Sequence, residues 1–291
     1  MEFFRIINLG ILGEEKISVI AAREQEIGKK FQSRTTPLFI PFITAGDPSL
    51  EATVKIALAL EEAGADILEL GVPYSDPLAD GPTIQRASAR ALRNGVNIEA
   101  CVQLAGQMRE QGLTIPIILF TYYNPVLQYG IESLFQLMRK QGVDGILIPD
   151  LPVEESGEVT ALSKQYSIPL ISLVAPTSKQ RIQKIAEQAE GFIYCVSSLG
   201  VTGARNQLSE GVEDFLKEVR TSSKVPIAVG FGISTPEQMQ QLAPFADGLI
   251  VGSALVKTIE ANSQLLLNAD TVEQGLENIK RFVQNLKCGV R

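Results

Sequence analysis

Histidine is absent from the 291-residue sequence. Its absence removes every Ser–His–Asp and Cys–His nucleophile arrangement and every imidazole-ligated metal site. Acid–base chemistry must then fall to carboxylates, Tyr, Lys or Cys. Cysteine is scarce: Cys101, Cys195 and Cys288 stand far apart, with no C-x-x-C. That pattern fits a reducing compartment rather than a disulfide framework, and each reads first as a small buried hydrophobe. No apolar run reaches the ~18–20 residues of a membrane span. Residues 3–12 are mildly apolar but broken by Arg5 and Asn8, and the acidic Glu14, Glu15, Glu24 and Glu26 follow. A signal or transit peptide is therefore not expected. The expected location is cytoplasmic, or the plastid stroma if the chain is encoded there, and not secreted. Basic charge is also in deficit, with 26 Lys+Arg against 33 Asp+Glu and a formal net charge of −7. This excludes nonspecific nucleic-acid binding, which needs a basic surface. A small anionic substrate stays possible, because helix N-termini hold phosphate through backbone N–H groups.

What is present is alternation. From residue 37 onward, eight short apolar runs fall at 38–44, 66–70, 115–121, 144–148, 169–174, 191–196, 226–229 and 247–251. They lack clean polar alternation, as parallel strands covered on both faces do. Amphipathic segments separate them. Residues 50–63 stop at Gly64, 131–141 end at Gly142, and 179–189 carry Ile182 and Ile185 on one face. The gap after the second run holds two helical patterns, 82–93 and 97–111, split at Asn94 and Gly95. Eight β-then-α units predict a (β/α)8 TIM barrel of the α/β class. An open doubly wound sheet is the rival, but the glycines of 10–13 precede any convincing strand. Residues 15–31 form a candidate extra N-terminal helix closing the barrel floor, and 271–287 a C-terminal amphipathic helix. We accordingly divide the chain into an N-terminal extension, 1–30, and a single barrel domain, 31–291.

Barrel active sites lie at the C-terminal ends of the strands. The second strand ends in Leu68–Glu69–Leu70–Gly71, with Glu69 the lone carboxylate of an apolar strand end. Burial there would raise its pKa toward that of a general acid working near neutrality. The plainer reading is a structural Glu paired with Lys or Arg across the barrel. The following loop, VPYSDPLADGP at 72–82, has its path fixed by three prolines and carries Asp76 and Asp80. By themselves these acids could be helix caps or turn formers.

The run LELGVPYSDPLADGPTIQ at 68–85 resembles the signature of the tryptophan synthase alpha chain family. Supporting motifs stand in the same order: PFITAGDP at 41–48, TYYNP at 121–125, DLPVEES at 150–156, GVTGA at 200–204 and GFGIS at 230–234. The resemblance spans about 31–285, and the first 30 residues match poorly. It implies a lyase that cleaves indole-3-glycerol phosphate to indole and glyceraldehyde 3-phosphate. Glu69 would be the acid/base and Asp80 its anionic partner at the ring N–H. Phe42, Phe120, Tyr194 and Phe231 would line an indole slot, although each alone could be plain core. Thr202 is expected to hydrogen-bond Asp80 when its loop closes. The segments holding Gly203, Gly232 and Gly252–Ser253 follow strands six, seven and eight and suit a phosphate, each short motif alone being also an ordinary turn. Family members pair with a beta chain that carries pyridoxal phosphate. Pro73, Asp76 and Asn124 match partner-facing positions, and an alpha2-beta2 tetramer is implied. The chain shows no pyridoxal site of its own, so no cofactor and no metal are expected in it.

Three other readings stand beside this one. A different phosphate-binding isomerase on the same scaffold would not need the Glu69 and Asp80 loop. A silent barrel kept only to bind or activate a beta chain fits poorly with two intact carboxylates. A stand-alone indole-releasing lyase is compatible with the same residues.

Overall fold

A computed structural model of the chain describes residues 25–177, 179–196, 211–230 and 232–290. Eight parallel strands close into one barrel in the order of the sequence. They are β1 (Leu38–Thr44), β2 (Leu68–Gly71), β3 (Ile117–Phe120), β4 (Gly145–Leu147), β5 (Leu170–Val174), β6 (Ile193–Val196), β7 (Ile227–Gly230) and β8 (Gly248–Val251). The (β/α)8 expectation is met, with each strand inside the apolar run assigned to it or within one residue of it. No helix among the described residues is long and apolar enough to cross a membrane.

The helices form where caps and stops are written into the sequence. After α1 (Glu26–Ser33) and β1 comes α2 (Leu50–Glu62), whose N-cap Ser49 side chain accepts the Ala52 N–H. α3 (Pro82–Arg93) opens on a proline and stops at Asn94 and Gly95, the latter at φ +74°. α4 (Ile98–Glu110) is capped by Asn97 onto the Ala100 N–H. Two helices follow β3, α5 (Tyr123–Tyr129) and α6 (Ile131–Gln141). The shorter one was not expected from the sequence; Pro125 lies in its first turn, where a proline breaks no helical bond. The remaining helices are α7 (Gly157–Tyr166), α8 (Lys179–Gln188), α9 (Val212–Ser222), α10 (Pro236–Leu242), α11 (Ser253–Ala261), α12 (Ser263–Leu266) and α13 (Val272–Lys287).

Two apolar layers result. Outward-facing strand residues such as Phe39, Ile43, Leu68 and Leu70 pack against the helices in one large cluster. Inward-facing Leu38, Ile40, Ile67, Ile118, Leu147, Ile171, Phe192 and Ile250 fill the barrel interior. The floor of that interior is closed by Ile27 and Phe31 of α1. The described part of the expected N-terminal helix thus does close the barrel, and residues 1–24 lie outside the described residues. Cys101 and Cys195 are buried as small hydrophobes, but Cys288 is exposed beside the C-terminus, against expectation.

A recurring clip fixes three strand starts. Asp66, Asp144 and Asp247 each stand at the start of a strand run, and each grips the first residues of the preceding strand twice. The Asp144 N–H donates to the Ile117 carbonyl at 2.8 Å, and its carboxylate accepts the Ile117 N–H at 2.8 Å. Asp247 does the same with Ile227, and Asp66 with Phe39. The Asp144 carboxylate also holds Arg109 at 2.7 Å, with both side chains largely buried. Asp144→Ala strands the buried Ile117 N–H and removes one arm of Arg109. We predict a loss of about 2–4 kcal/mol in urea unfolding; a midpoint equal to the parent's would show that the clip is not a stability element.

Candidate active site

Strand alternation points Glu69 into the barrel. Ile67 lies in the interior cluster and Leu68 and Leu70 in the outer one, so Glu69 turns inward, opposite Phe42 of β1 and Ile118 of β3. Its side chain is 0% exposed. Neither carboxyl oxygen has a hydrogen-bond partner among the described residues. The structural alternative, an ion pair across the barrel, is therefore not what the geometry offers among those residues. Burial alone pushes the Glu69 carboxyl up to about 8.

Gly71 shapes the space beside it. A Cβ at Gly71 would lie 2.4 Å from the Phe42 ring, so this position must stay bare for Phe42 to lean across β2. Phe42 meets Phe120 edge to face, with centroids 5.5 Å apart at 83°. These two rings wall one side of the barrel mouth. Tyr194 of β6, partly buried, leans over β7, where a Cβ on Gly230 would touch its hydroxyl at 2.7 Å. Burial first, and then the charges of Glu69 and Asp80, hold the Tyr194 hydroxyl well above the ordinary tyrosine range. Tyr194 is thus near both acids.

The loop after β2 is held down from the β3 side. Tyr74 stacks on Tyr122, centroids 5.1 Å apart. The Tyr122 hydroxyl accepts the Ala79 N–H at 3.0 Å, and Gln85 donates to the Asp80 carbonyl at 2.8 Å. Pro82 then starts α3. Asp80 is left 6% exposed. Burial raises its carboxyl to about 6, and the Tyr122 hydroxyl offsets part of that rise. Tyr122 lies within the quoted TYYNP motif, yet sequence reasoning gave it no role. Its task depends on a contact spanning 43 positions, which no local pattern announces.

Gly232 adopts φ +68°, a left-handed turn that favours glycine. Gly252 caps α11, and Ser253 is the first residue of that helix, whose first-turn N–H groups face outward from its N-terminus. A guanidinium ties this helix to its neighbours. Arg90 of α3 grips Asp47 through two bonds of 2.7 and 2.9 Å and Glu260 of α11 at 2.6 Å, while Arg86 also binds Glu260. Together they hold the Arg90 guanidinium still further from deprotonation.

Asp76 and Asn124 are exposed, and the Asn124 amide donates to the Tyr74 hydroxyl at 3.2 Å. Pro73 is buried within the chain. Leu78, in the same loop, is 83% exposed. Thr202, Gly203 and Phe231 lie outside the described residues. Among the described residues no three His, Cys, Asp or Glu side chains are grouped to hold a metal ion.

The site therefore defines a (β/α)8-barrel protein whose mouth sets two buried carboxylates against an aromatic slot. The model of one family, the tryptophan synthase alpha chain, matches residues 29–291. A tryptophan synthase alpha chain from Geobacillus kaustophilus is 60% identical over 255 residues, covering 88% of this chain and 95% of that one. Its counterpart from Bacillus subtilis is 54% identical over 245 residues, covering 84% and 92%. A solved tryptophan synthase structure from Mycobacterium tuberculosis superposes with a TM-score of 0.81 at 34% identity, covering 91% of this chain and 98% of that one. The chain belongs to the tryptophan synthase alpha chain family.

The raised Glu69 pKa has a consequence for stability that is separate from turnover. A carboxyl with a folded pKa of about 8 binds its proton more tightly folded than unfolded. Its neutral form is the one the fold accommodates, so stability falls as pH rises from the ordinary value of 4.5 through about 8. Glu69→Gln carries no such charge. The stability of this variant relative to the parent should climb by a few kcal/mol across that window, followed by denaturant unfolding at several pH values. A flat difference would mean that Glu69 is not desolvated.

Proposed function

We propose that Glu69 and Asp80 divide the proton work of indole-3-glycerol phosphate cleavage between a neutral acid and an anion. As a member of its family the chain is a lyase, releasing indole and glyceraldehyde 3-phosphate in the alpha reaction of L-tryptophan biosynthesis. The observation that carries the assignment is Glu69 itself: wholly buried, without a protein partner among the described residues, and inward-facing in the short strand β2.

The bond to be broken joins ring carbon 3 to the glycerol chain, and it breaks only if the ring can accept its electrons. Protonated Glu69 delivers its proton to ring carbon 3, giving an indolenine. The ring N–H grows more acidic as this happens, and the Asp80 carboxylate receives it in a hydrogen bond. Glu69, now a carboxylate, takes the proton of the adjacent glycerol hydroxyl. The C–C electrons return to the ring, a carbonyl forms at the departing carbon, and Glu69 ends protonated as it began. Values of about 8 and about 6 suit these roles at neutral pH, the first group mostly neutral and the second mostly ionised. Phe42, Phe120, Tyr194 and Phe231 line the indole slot. The phosphate sits against Gly203, Gly232 and Gly252–Ser253, held by N–H groups and the N-terminal end of α11 rather than by net positive charge. The family resemblance assigns Thr202 as a hydrogen-bond partner of Asp80.

The proton transfers draw on no cofactor in this chain. Asp76 and Asn124, with the exposed Leu78 beside them, face a beta chain, and Pro73 supports that loop from within. The beta chain holds pyridoxal phosphate, and the assembly is an alpha2-beta2 tetramer. The barrel domain runs 31–291, with 1–30 as its extension. The location is cytoplasmic, or the plastid stroma for a plastid-encoded chain.

Glu69→Gln should lower kcat for indole release by at least about 10³-fold while changing KM little, and Asp80→Asn should be impaired by about 10²-fold or more. Near-parental turnover by Glu69→Gln, with or without a beta chain present, removes Glu69 from the mechanism. The pH profile of kcat/KM should be bell-shaped, activity rising as Asp80 ionises near pH 6 and falling as Glu69 ionises near pH 8. Tyr122→Phe deletes the hydroxyl that lowers the Asp80 pKa, so the acid limb should move to higher pH while the alkaline limb stays. An unmoved acid limb would assign that limb to another group.

A further inference from the structure

Thr44 is the last residue of β1 and only 3% exposed. Its hydroxyl joins the two Glu69 oxygens as the buried side-chain atoms that lack a hydrogen-bond partner among the described residues. The backbone carbonyl of Thr44 is satisfied, accepting the Asp47 N–H at 3.2 Å, so the unused capacity is in the side chain. Alternation along β1 sets its direction. Phe39 and Ile43 join the outer cluster, Leu38 and Ile40 fill the interior, and Phe42 lines the mouth. Thr44 shares the parity of the inward set. Its register partner is Gly71, and Phe42 below it is paired with Glu69. The hydroxyl therefore stands one inward-facing layer above the acid, toward the open end of the barrel.

Position around the barrel completes the argument. β1 lies between β8 and β2. On one side is the Gly252–Ser253 turn, where a Cβ on Gly252 would lie 3.7 Å from the Phe42 Cβ. On the other is Glu69. A substrate with its phosphate at the first and its ring carbon at the second must lay the connecting three-carbon chain across the face of β1. That chain bears two hydroxyls. A buried Thr hydroxyl without a partner costs stability that a Val of the same shape would not.

We propose that Thr44 orients the substrate by hydrogen-bonding the hydroxylated chain that links its phosphate to its ring. This rests on the phosphate placement at Gly252–Ser253 argued above. The contact distinguishes glycerol phosphates from otherwise identical ligands with a bare propyl chain.

The test is a cycle of variants and ligands on the full chain. The ligands are indole-3-glycerol phosphate, read through kcat/KM, and indole-3-propanol phosphate, which lacks both chain hydroxyls, read as an inhibition constant. Thr44→Val should lower kcat/KM about tenfold and leave the inhibition constant of the propanol ligand within about twofold. Thr44→Ser, which keeps the hydroxyl, should restore most of the loss. Equal weakening toward both ligands, or none toward either, overturns the proposal. Ser253→Asp should weaken both ligands through charge repulsion at the phosphate. If it changes neither, the phosphate placement fails and takes the path across β1 with it, whatever Thr44→Val shows.

Discussion

Desolvating a carboxyl group without giving it a donor disfavours its charged form, and at Glu69 the fold imposes that constraint to the full. The group sits second in a four-residue strand whose neighbours on both sides are apolar, and none of the described side chains reaches its oxygens. The Phe42 ring fits against Gly71 because no side chain occupies that position, and Tyr194 crosses from β6 toward β7. Asp80 is treated more gently. It is buried too, but the Tyr122 hydroxyl favours its ionised form, so environment widens the ordinary difference in acidity between the two acids.

That separation depends on loop geometry more than on residue type. The loop after β2 is fastened by Tyr122, which both stacks on Tyr74 and receives the Ala79 N–H. A loop less firmly held would let water reach Asp80, and its acidity would drift back to that of an ordinary aspartate. Rigidity in this segment is thus an electrostatic device as well as a steric one.

The strands were legible because parallel strands buried on both faces appear in sequence as unbroken apolar runs, and the longer helices because Gly64, Gly142 and the Asn94–Gly95 pair mark their ends. What escaped notice depends on distant partners. Asp66, Asp144 and Asp247 open three of the apolar runs, with nothing in the run to give the carboxylate a task; only the closed barrel brings these carboxylates onto the preceding strand. The burial of Pro73, the short helix from Tyr123 and the exposure of Cys288 were equally invisible, each set by what packs nearby rather than by local pattern. Glu69 could be singled out as a lone acid in an apolar strand, whereas Thr44 beside it drew no attention. A threonine at a strand end is commonplace until its hydroxyl is found without a partner.

The Arg90 guanidinium ties its own helix to two other segments at the barrel mouth. Asp47 belongs to the turn just beyond Thr44, Arg90 to the helix that begins two residues after Asp80, and Glu260 to the helix that opens at Ser253. A change at any one of these anchors is felt at the other two through a single planar cation. Drift in the helix that opens at Ser253 cannot then be independent of the segment that carries Asp80, and variants altered in either would be expected to carry compensating changes around position 90.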